Sequence, residues 1–310
     1  MRIVIAGGGL AGLYAAYRTH KAAPDVEVVL IDGRPHHEFV MGAPLAIRGL
    51  VGFGDLKFPL TRLSAVKFVE GHVAGVEGNC VRLEGGGEVC GDYVLLAPGS
   101  YRGEAAGFWT LDGVERTYKL ASSARAIRFI INDVYPVKGF QDVARALKRR
   151  FPGLEVSIHV VSMTDDIKAF LKPYIDHAAK VGIYVTDEPP PPIRPGEVHI
   201  PVPSARPHPL IVKLDPDPAT FETRFEGVYA VGEAALAAVG MPPSGMLSLK
   251  QTGKVVDMVL EGALKGYVEA EPLGDLDDFG IYYKYLACTP VKELFDFYEL
   301  WRNSVITTLA

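Results

Sequence analysis

Arg2-Ile3-Val4-Ile5-Ala6-Gly7-Gly8-Gly9-Leu10-Ala11-Gly12 is the stretch on which the reading of this chain turns. Its first five residues, mostly β-branched, predict a short buried strand, and Gly7, Gly9 and Gly12 then fall into the spacing G-x-G-x-x-G. Leu13-Tyr14-Ala15-Ala16-Tyr17-Arg18 continues as helix. A second apolar run, Val26-Glu27-Val28-Val29-Leu30-Ile31, ends at Asp32, 20 residues past Gly12. Strand, glycine loop, helix, strand and acid in this order form the dinucleotide-binding fingerprint. Gly7 permits the tight turn, Gly9 lets a pyrophosphate approach the backbone, and Gly12 lets the helix lie close on the strand. The helix N-terminus, at Leu10 and Ala11, offers free N–H groups and a positive dipole end to the phosphates, and Asp32 would accept from ribose hydroxyls.

Around this stretch lie 310 residues, 48% hydrophobic and 22% charged, with 33 glycines, 23 prolines and 3 cysteines. That composition excludes disordered, collagen-like and disulfide-scaffold classes, and the length suits two domains. A net charge of −5, with no basic run longer than Lys148-Arg149-Arg150, argues against nucleic acid as a partner. No stretch is apolar for the ~18 residues that a transmembrane helix needs. The N-terminus reads as strand and turn rather than signal peptide, so a cytoplasmic location is expected. Only three asparagines (79, 132, 303) and two glutamines (141, 251) occur, a depletion that suggests a thermophilic source.

Further along, Val81-Arg82-Leu83 and Glu88-Val89-Cys90 flank Gly85-Gly86-Gly87 as a hairpin, and Tyr93-Val94-Leu95-Leu96-Ala97 is a buried strand ending at Pro98-Gly99-Ser100. Phe225–Glu233 reads as another strand ending in glycine and an acid, and a helix starts near Met246 after Pro242-Pro243-Ser244-Gly245. As a set, these pieces resemble the FAD-dependent pyridine nucleotide-disulfide oxidoreductase superfamily, in its sulfide:quinone oxidoreductase and type II NADH dehydrogenase branch. The matching segments are the glycine loop, Val29 through Asp32-Gly33-Arg34 to Phe39, Gly71-His72-Val73, Leu95–Ser100, Asp217–Thr223 and Val228–Glu233. The resemblance implies a non-covalently bound FAD. Its adenosine would meet Asp32, Gly33, Arg34 and the backbone of Val73, and Ala97, Pro98, Gly99 and Ser100 would sit beside it at the domain crossover. Gly232-Glu233 stands where that family has Gly-Asp, a carboxylate on the ribityl chain, and Glu is one methylene longer. Gly245 and Met246 would open a helix facing the flavin pyrimidine carbonyl, where charge collects on reduction, and Pro44 would line the flavin face.

The middle of the chain bears on the electron donor. The strand Ala126–Ile131 is where a second, NADH-binding fingerprint should begin, yet Asn132-Asp133-Val134-Tyr135-Pro136-Val137-Lys138-Gly139 follows, with one glycine and a proline. This argues against NADH. A helix over about 140–150, a strand over 155–161 and a helix over about 165–181 keep the segment α/β. The layout is similar to sulfide:quinone oxidoreductases and flavocytochrome c sulfide dehydrogenases, in which a cysteine pair relays sulfide electrons. One of those cysteines falls at Gly139 here, so the dithiol route is in doubt.

Cys80 and Cys90 flank the hairpin and face each other, either as a cross-strand disulfide or as two small buried residues; Cys288 is alone. His36-His37 lacks further ligands at metal-binding spacing and reads as a polar loop near the cofactor, so no metal is expected. Lys138 is a solvated loop lysine or a positive charge near the flavin. Pro189–Pro192 is a stiff connector. In the tail, Val291, Leu294, Phe295, Tyr298, Trp301, Val305 and Leu309 recur at helical spacing on one face. The resemblance would place such a helix on a membrane or over a quinone pocket. The opposite face carries Glu293, Asp296 and Glu299, unsuited to anionic lipid, so docking on the core or on a second copy in a homodimer is expected before peripheral membrane contact.

The expected architecture is α/β with two dinucleotide-binding, Rossmann-like domains: a discontinuous FAD domain over 1–110 and 222–267, a degenerate second domain over 111–221, and a short helical tail over 268–310. The expected function is an FAD-dependent oxidoreductase passing electrons from a small non-nicotinamide donor, sulfide-like, to a quinone or protein acceptor. Two alternatives stand beside it: an NAD(P)H-dependent reductase with an atypical second site, and a flavin-binding subunit without autonomous turnover. No catalytic acid or base is identified.

Overall fold

A computed structural model describes residues 1–101, 110–131, 137–161, 164–202, 206–241, 244–264 and 291–310. The chain opens with β1 (Arg2–Ala6), α1 (Leu10–Ala22) and β2 (Glu27–Asp32), as the fingerprint predicts. A short antiparallel pair, β3 (His36–Glu38) and β4 (Lys57–Pro59), brackets the single-turn helix α2 (Ala43–Ile47). Next come β5 (Lys67–Glu70), the meander β6 (Val73–Glu77), β7 (Cys80–Leu83) and β8 (Glu88–Cys90), and then β9 (Tyr93–Leu96). After α3 (Leu111–Ala121), the second half runs β10 (Ala126–Ile131), α4 (Val137–Arg150), β11 (Glu155–Val160), α5 (Asp165–Lys180), β12 (Ile183–Thr186) and β13 (Glu197–Val202). The chain then returns through α6 (Pro209–Leu214), β14 (Val228–Ala230), α7 (Glu233–Ala238) and α8 (Gly245–Ala263), and closes with α9 (Val291–Leu300).

Two parallel sheets result. The first has the order β14-β9-β1-β2-β5, the second β12-β11-β10-β13. β1 lies at the centre of the first, so both its faces are covered: Ile3, Val4 and Ile5 are fully buried, the isoleucines in the main core and Val4 in the smaller cluster behind the sheet. The crossover direction that a parallel sheet imposes brings the C-terminal ends of β1, β2, β9 and β14 to one edge, where ligands of open α/β sheets bind.

The second sheet is two-sided in another sense. Ile127, Phe129 and Ile131 of β10 join Val156, Ile158 and Val160 of β11 in the main core, with Ala144 and Leu147 of α4 and Ala178 of α5. Alternation turns Arg128, Ser157, His159 and Glu197 to the opposite face, where they bond to one another.

Several expectations are corrected. The strand read over Phe225–Glu233 is confined to Val228–Ala230, because Phe225-Glu226-Gly227 forms a turn with Gly227 at φ +75°. The middle helix starts at Val137, three residues early. His36 and His37 are no loop: they pair with Pro59 and Phe58 across β3 and β4, and His37 is only 1% exposed. The apolar face of the tail closes on this chain's own core, one of its two expected uses, with Trp301, Val305 and Leu309 fully buried and Val291 and Phe295 half-buried. α9 runs on into a π-helical stretch, Trp301–Ile306, and the C-terminus is tied down by Ser64 Oγ donating to the Ala310 carbonyl at 2.6 Å. Cys80 and Cys90, directly opposite in the β7–β8 ladder, form a disulfide, which settles the open alternative. No described helix is long and apolar enough to cross a membrane.

Candidate cofactor site

The glycine loop shows why its glycines are needed. A Cβ on Gly7 would lie 2.1 Å from the Ala97 carbonyl oxygen, and one on Gly12 would lie 1.8 Å from the oxygen of Gly7. Gly7 also sits at φ +121°, outside the range of other residues. Among the described residues, nothing lies within 4 Å of where a Cβ on Gly9 would stand. Gly9 is the N-cap of α1, with no side chain capping it and no acid in the first turn. Open space therefore lies over an uncompensated positive helix end at Leu10 and Ala11, the arrangement that receives a pyrophosphate.

Asp32 ends β2 beside this loop. Its Oδ2 accepts from Gly8 N at 2.7 Å and its Oδ1 from Arg34 N at 2.8 Å. Each oxygen keeps a second lone pair, so the carboxylate can still take ribose hydroxyls. The Arg34 guanidinium lies 3.6 Å from Asp32 and 3.5 Å from Glu38. Gly33 lies beneath the His72 ring, where a Cβ would come within 2.2 Å, and Gly71 N donates to the Asp32 carbonyl. Asp32, Gly33 and Arg34 are thus gathered on one side of the loop, and Val73 opens β6 two residues after Gly71.

The other side is closed by segments distant in sequence. Ala97 N bonds the Ala6 carbonyl, Pro98 follows, and Gly99 adopts φ +74° with no described residue within 4 Å of where a Cβ would stand. Ser100 Oγ donates to Glu233 Oε2 at 2.8 Å, so the longer acid is engaged by the crossover strand. Gly232, at φ +78°, comes so close to α1 that a Cβ would sit 2.6 Å from Ala11 Cβ. A Cβ on Gly245 would touch Met41 Sδ at 3.1 Å and Leu10 Cδ2 at 3.4 Å. The start of α8, with Met246 buried behind it, therefore abuts the start of α1. Ser244 caps α8 by accepting from Leu247 N. Pro44 is buried in the first turn of α2, three residues after Met41.

The roles of two residues that hold this site were not legible in the sequence. Buried Gln251 on α8 accepts from Gly232 N at 2.8 Å and donates to the Ala230 carbonyl at 3.1 Å, pinning the exit of β14. Its one visible signal is rarity, as one of two glutamines. His37 Nδ1 donates to the Gly8 carbonyl at 3.0 Å, and its ring packs against Phe58 and, 5.7 Å between centroids, against Trp301. Burial above all, with help from the charges of Arg34 and His36, pushes the His37 pKa down to about 4, so the ring is neutral at neutral pH.

The second sheet offers no comparable loop among the described residues. β10 leads into residues 132–136, outside the description, and α4 opens directly after them. Lys138 and Gly139 fall in the first turn of α4, where no side chain is described, and Cys288 also falls outside. In the β7–β8 hairpin, the disulfide consumes two of the three cysteines, so no further cysteine pair can exist in this chain.

The fold with these features is that of the FAD-dependent pyridine nucleotide-disulfide oxidoreductases. Among solved structures, the chain is similar to the sulfide:quinone oxidoreductase of the hyperthermophilic bacterium Aquifex aeolicus, with a TM-score of 0.62 and 18% identity over 84% of this chain and 76% of that one. It is likewise similar to the NADH:rubredoxin oxidoreductase of Clostridium acetobutylicum, with a TM-score of 0.61 and 16% identity over 87% and 78% of the two chains. In sequence, 102 residues are 28% identical to a sulfide-quinone reductase of Aquifex aeolicus (strain VF5), a match spanning 31% of this chain and 24% of that protein. No family model matches.

Proposed function

We propose that this chain is an FAD-dependent oxidoreductase that takes electrons from a small donor other than NADH and passes them to a quinone or protein acceptor. One observation carries the reading. The first sheet has a complete, open phosphate loop with an acid beside it, whereas β10 of the second leads into Asn132-Asp133-Val134-Tyr135-Pro136, which lacks every glycine the loop needs. When bound, FAD would supply two-electron redox chemistry. The chain's own residues bind and orient it: Gly7, Gly9, Leu10, Ala11 and Gly12 the pyrophosphate, and Asp32, Gly33, Arg34 and Val73 the adenosine. Ala97, Pro98, Gly99, Ser100, Gly232 and Glu233 would meet the ribityl side. Gly245, Met246 and Pro44 would meet the ring, with α8 directing its N-terminal amides at charge that develops there. On this reading residues 1–110 and 222–267 form the FAD domain, 111–221 the degenerate second domain, and 268–310 the tail.

Sulfide is the first donor to test, since sulfide-quinone reductases stand among the relatives in both sequence and structure. With no second cysteine pair, the donor must reach the flavin without a protein dithiol of the chain's own. A second reading, an NAD(P)H-dependent reductase, is favoured by the parallel order of the second sheet, with α4 opening after β10 as a nucleotide-binding unit would have it.

Anaerobic titration of the holoprotein, followed at the visible flavin band, separates the two. The expected result is no bleaching by stoichiometric NADH and bleaching by sulfide. Rapid bleaching by NADH would overturn the donor assignment, and a chain that takes up no FAD would overturn the cofactor as well.

A further inference from the structure

We propose that the C-terminal tail is part of the cofactor site: Trp301 holds the His37 ring, His37 holds the Gly8 carbonyl, and FAD affinity therefore depends on residues 291–310. This rests on the FAD reading above.

Gly8 is the middle peptide of the phosphate loop, and it is gripped from both ends. Asp32 takes its N–H and His37 Nδ1–H takes its carbonyl. A loop that binds pyrophosphate must present N–H groups to the ligand and turn its carbonyls away, because a carbonyl oxygen facing a phosphate repels it. The His37 bond keeps the Gly8 carbonyl turned inward. With the donor at Nδ1, Nε2 is left as a bare acceptor, and among the described residues it has no partner.

The ring is held from two sides, one near in the fold and one from the far end of the chain. His37 sits in the three-residue β3, and the aromatic cage around it is assembled from Phe58 of β4 and Trp301 of the tail. Trp301 also stacks on Phe39 at 5.8 Å and packs edge-on against Phe297. It begins the π-helical stretch, an irregularity often found at functional sites. The tail is anchored independently at three points: Tyr298 OH donates to the Asp55 carbonyl, Ala65 N to the Leu309 carbonyl, and Ser64 Oγ to the Ala310 carbonyl. A rigid tail thus backs a ring that backs the loop.

Mere core packing and cofactor positioning make opposite predictions for two variants. Phe at position 37 suits the apolar cage but has no donor. Asn packs worse, yet its amide nitrogen stands near the place of Nδ1 and can reach the Gly8 carbonyl. Positioning predicts that H37F loses about tenfold or more in FAD affinity, measured by calorimetry on folded apoprotein, while H37N binds more tightly than H37F. The reverse order, or wild-type affinity in H37F, would overturn the inference while leaving the FAD reading intact. If H37F fails to fold, the wild-type chain still decides. Coupling is reciprocal, so FAD must slow amide hydrogen exchange across 291–310. Unchanged exchange there in a chain that has taken up FAD would overturn the inference. A wild-type chain that takes up no FAD would remove it together with the cofactor reading.

Discussion

The two parallel sheets share a winding but not a chemistry. In the first, the central strand β1 is apolar on both faces and ends in a glycine loop that leaves a helix end open. In the second, the inner strand β10 carries a buried charge, Arg128, on one of its faces. There Arg128 bonds Glu155 at 2.9 Å, Ser157 at 3.1 Å and Glu197 at 3.3 Å, and Ser157 bonds His159 at 3.0 Å. Burial opposes ionisation of Glu197, but hydrogen bonds from Arg125 and Arg128 outweigh it and keep its carboxyl below the usual range. The comparison teaches that the sheet supplies a frame, while capacity for a dinucleotide lies in the few residues after the first strand. A half that lacks them can keep its topology and carry an ion-pair network instead.

The comparison breaks most visibly at Gly12. Its replacement by Val places side-chain atoms on the Gly7 oxygen, so a loss of about 4 kcal/mol or more is expected, together with all bound flavin. Denaturation and the flavin spectrum of purified G12V check both, and retention of flavin would show that the loop is not the site.

Arg128→Leu tests the other half. It leaves Glu197, only 2% exposed at its side chain, with Arg125 as its remaining ion-pair partner among the described residues, and roughly 3 kcal/mol of stability should be lost. Flavin content per folded chain should be unchanged. A loss of flavin in R128L equal to that in G12V would mean that the halves are not separable in function.

The pH dependence sharpens the contrast, because it follows a residue under the first loop. With the folded pKa of His37 at about 4 against an ordinary value of 6.5, its contribution is fully present above about pH 6.5. It declines as pH falls toward 4, because the unfolded chain takes up a proton that the native chain refuses, and about 3 kcal/mol should be lost by then. H37N, measured against wild type from pH 7 to pH 4, should lack this slope. Last, Ser244→Ala removes the cap of α8 and should cost about 1 kcal/mol, with a small loss of FAD affinity measurable by calorimetry.

By itself the sequence determined what is local. β1, the loop, α1, β2 and Asp32 were legible because each rests on spacing within some thirty residues, and glycines that must be glycine announce a close approach. The ladder partner of Cys90 was legible for the same reason, since a tight hairpin leaves only a few registers. Only the tertiary structure decided what depends on contacts between distant segments. His37 looked like a loop residue until Phe58 and Trp301 closed over it, and Gln251 looked like any helical amide until β14 came to rest beside it. The tail's apolar stripe allowed a core, a second copy or a membrane, because an apolar face specifies burial without naming what buries it. The choice fell to the groove beside α1 and α2, whose shape no periodicity in the chain encodes.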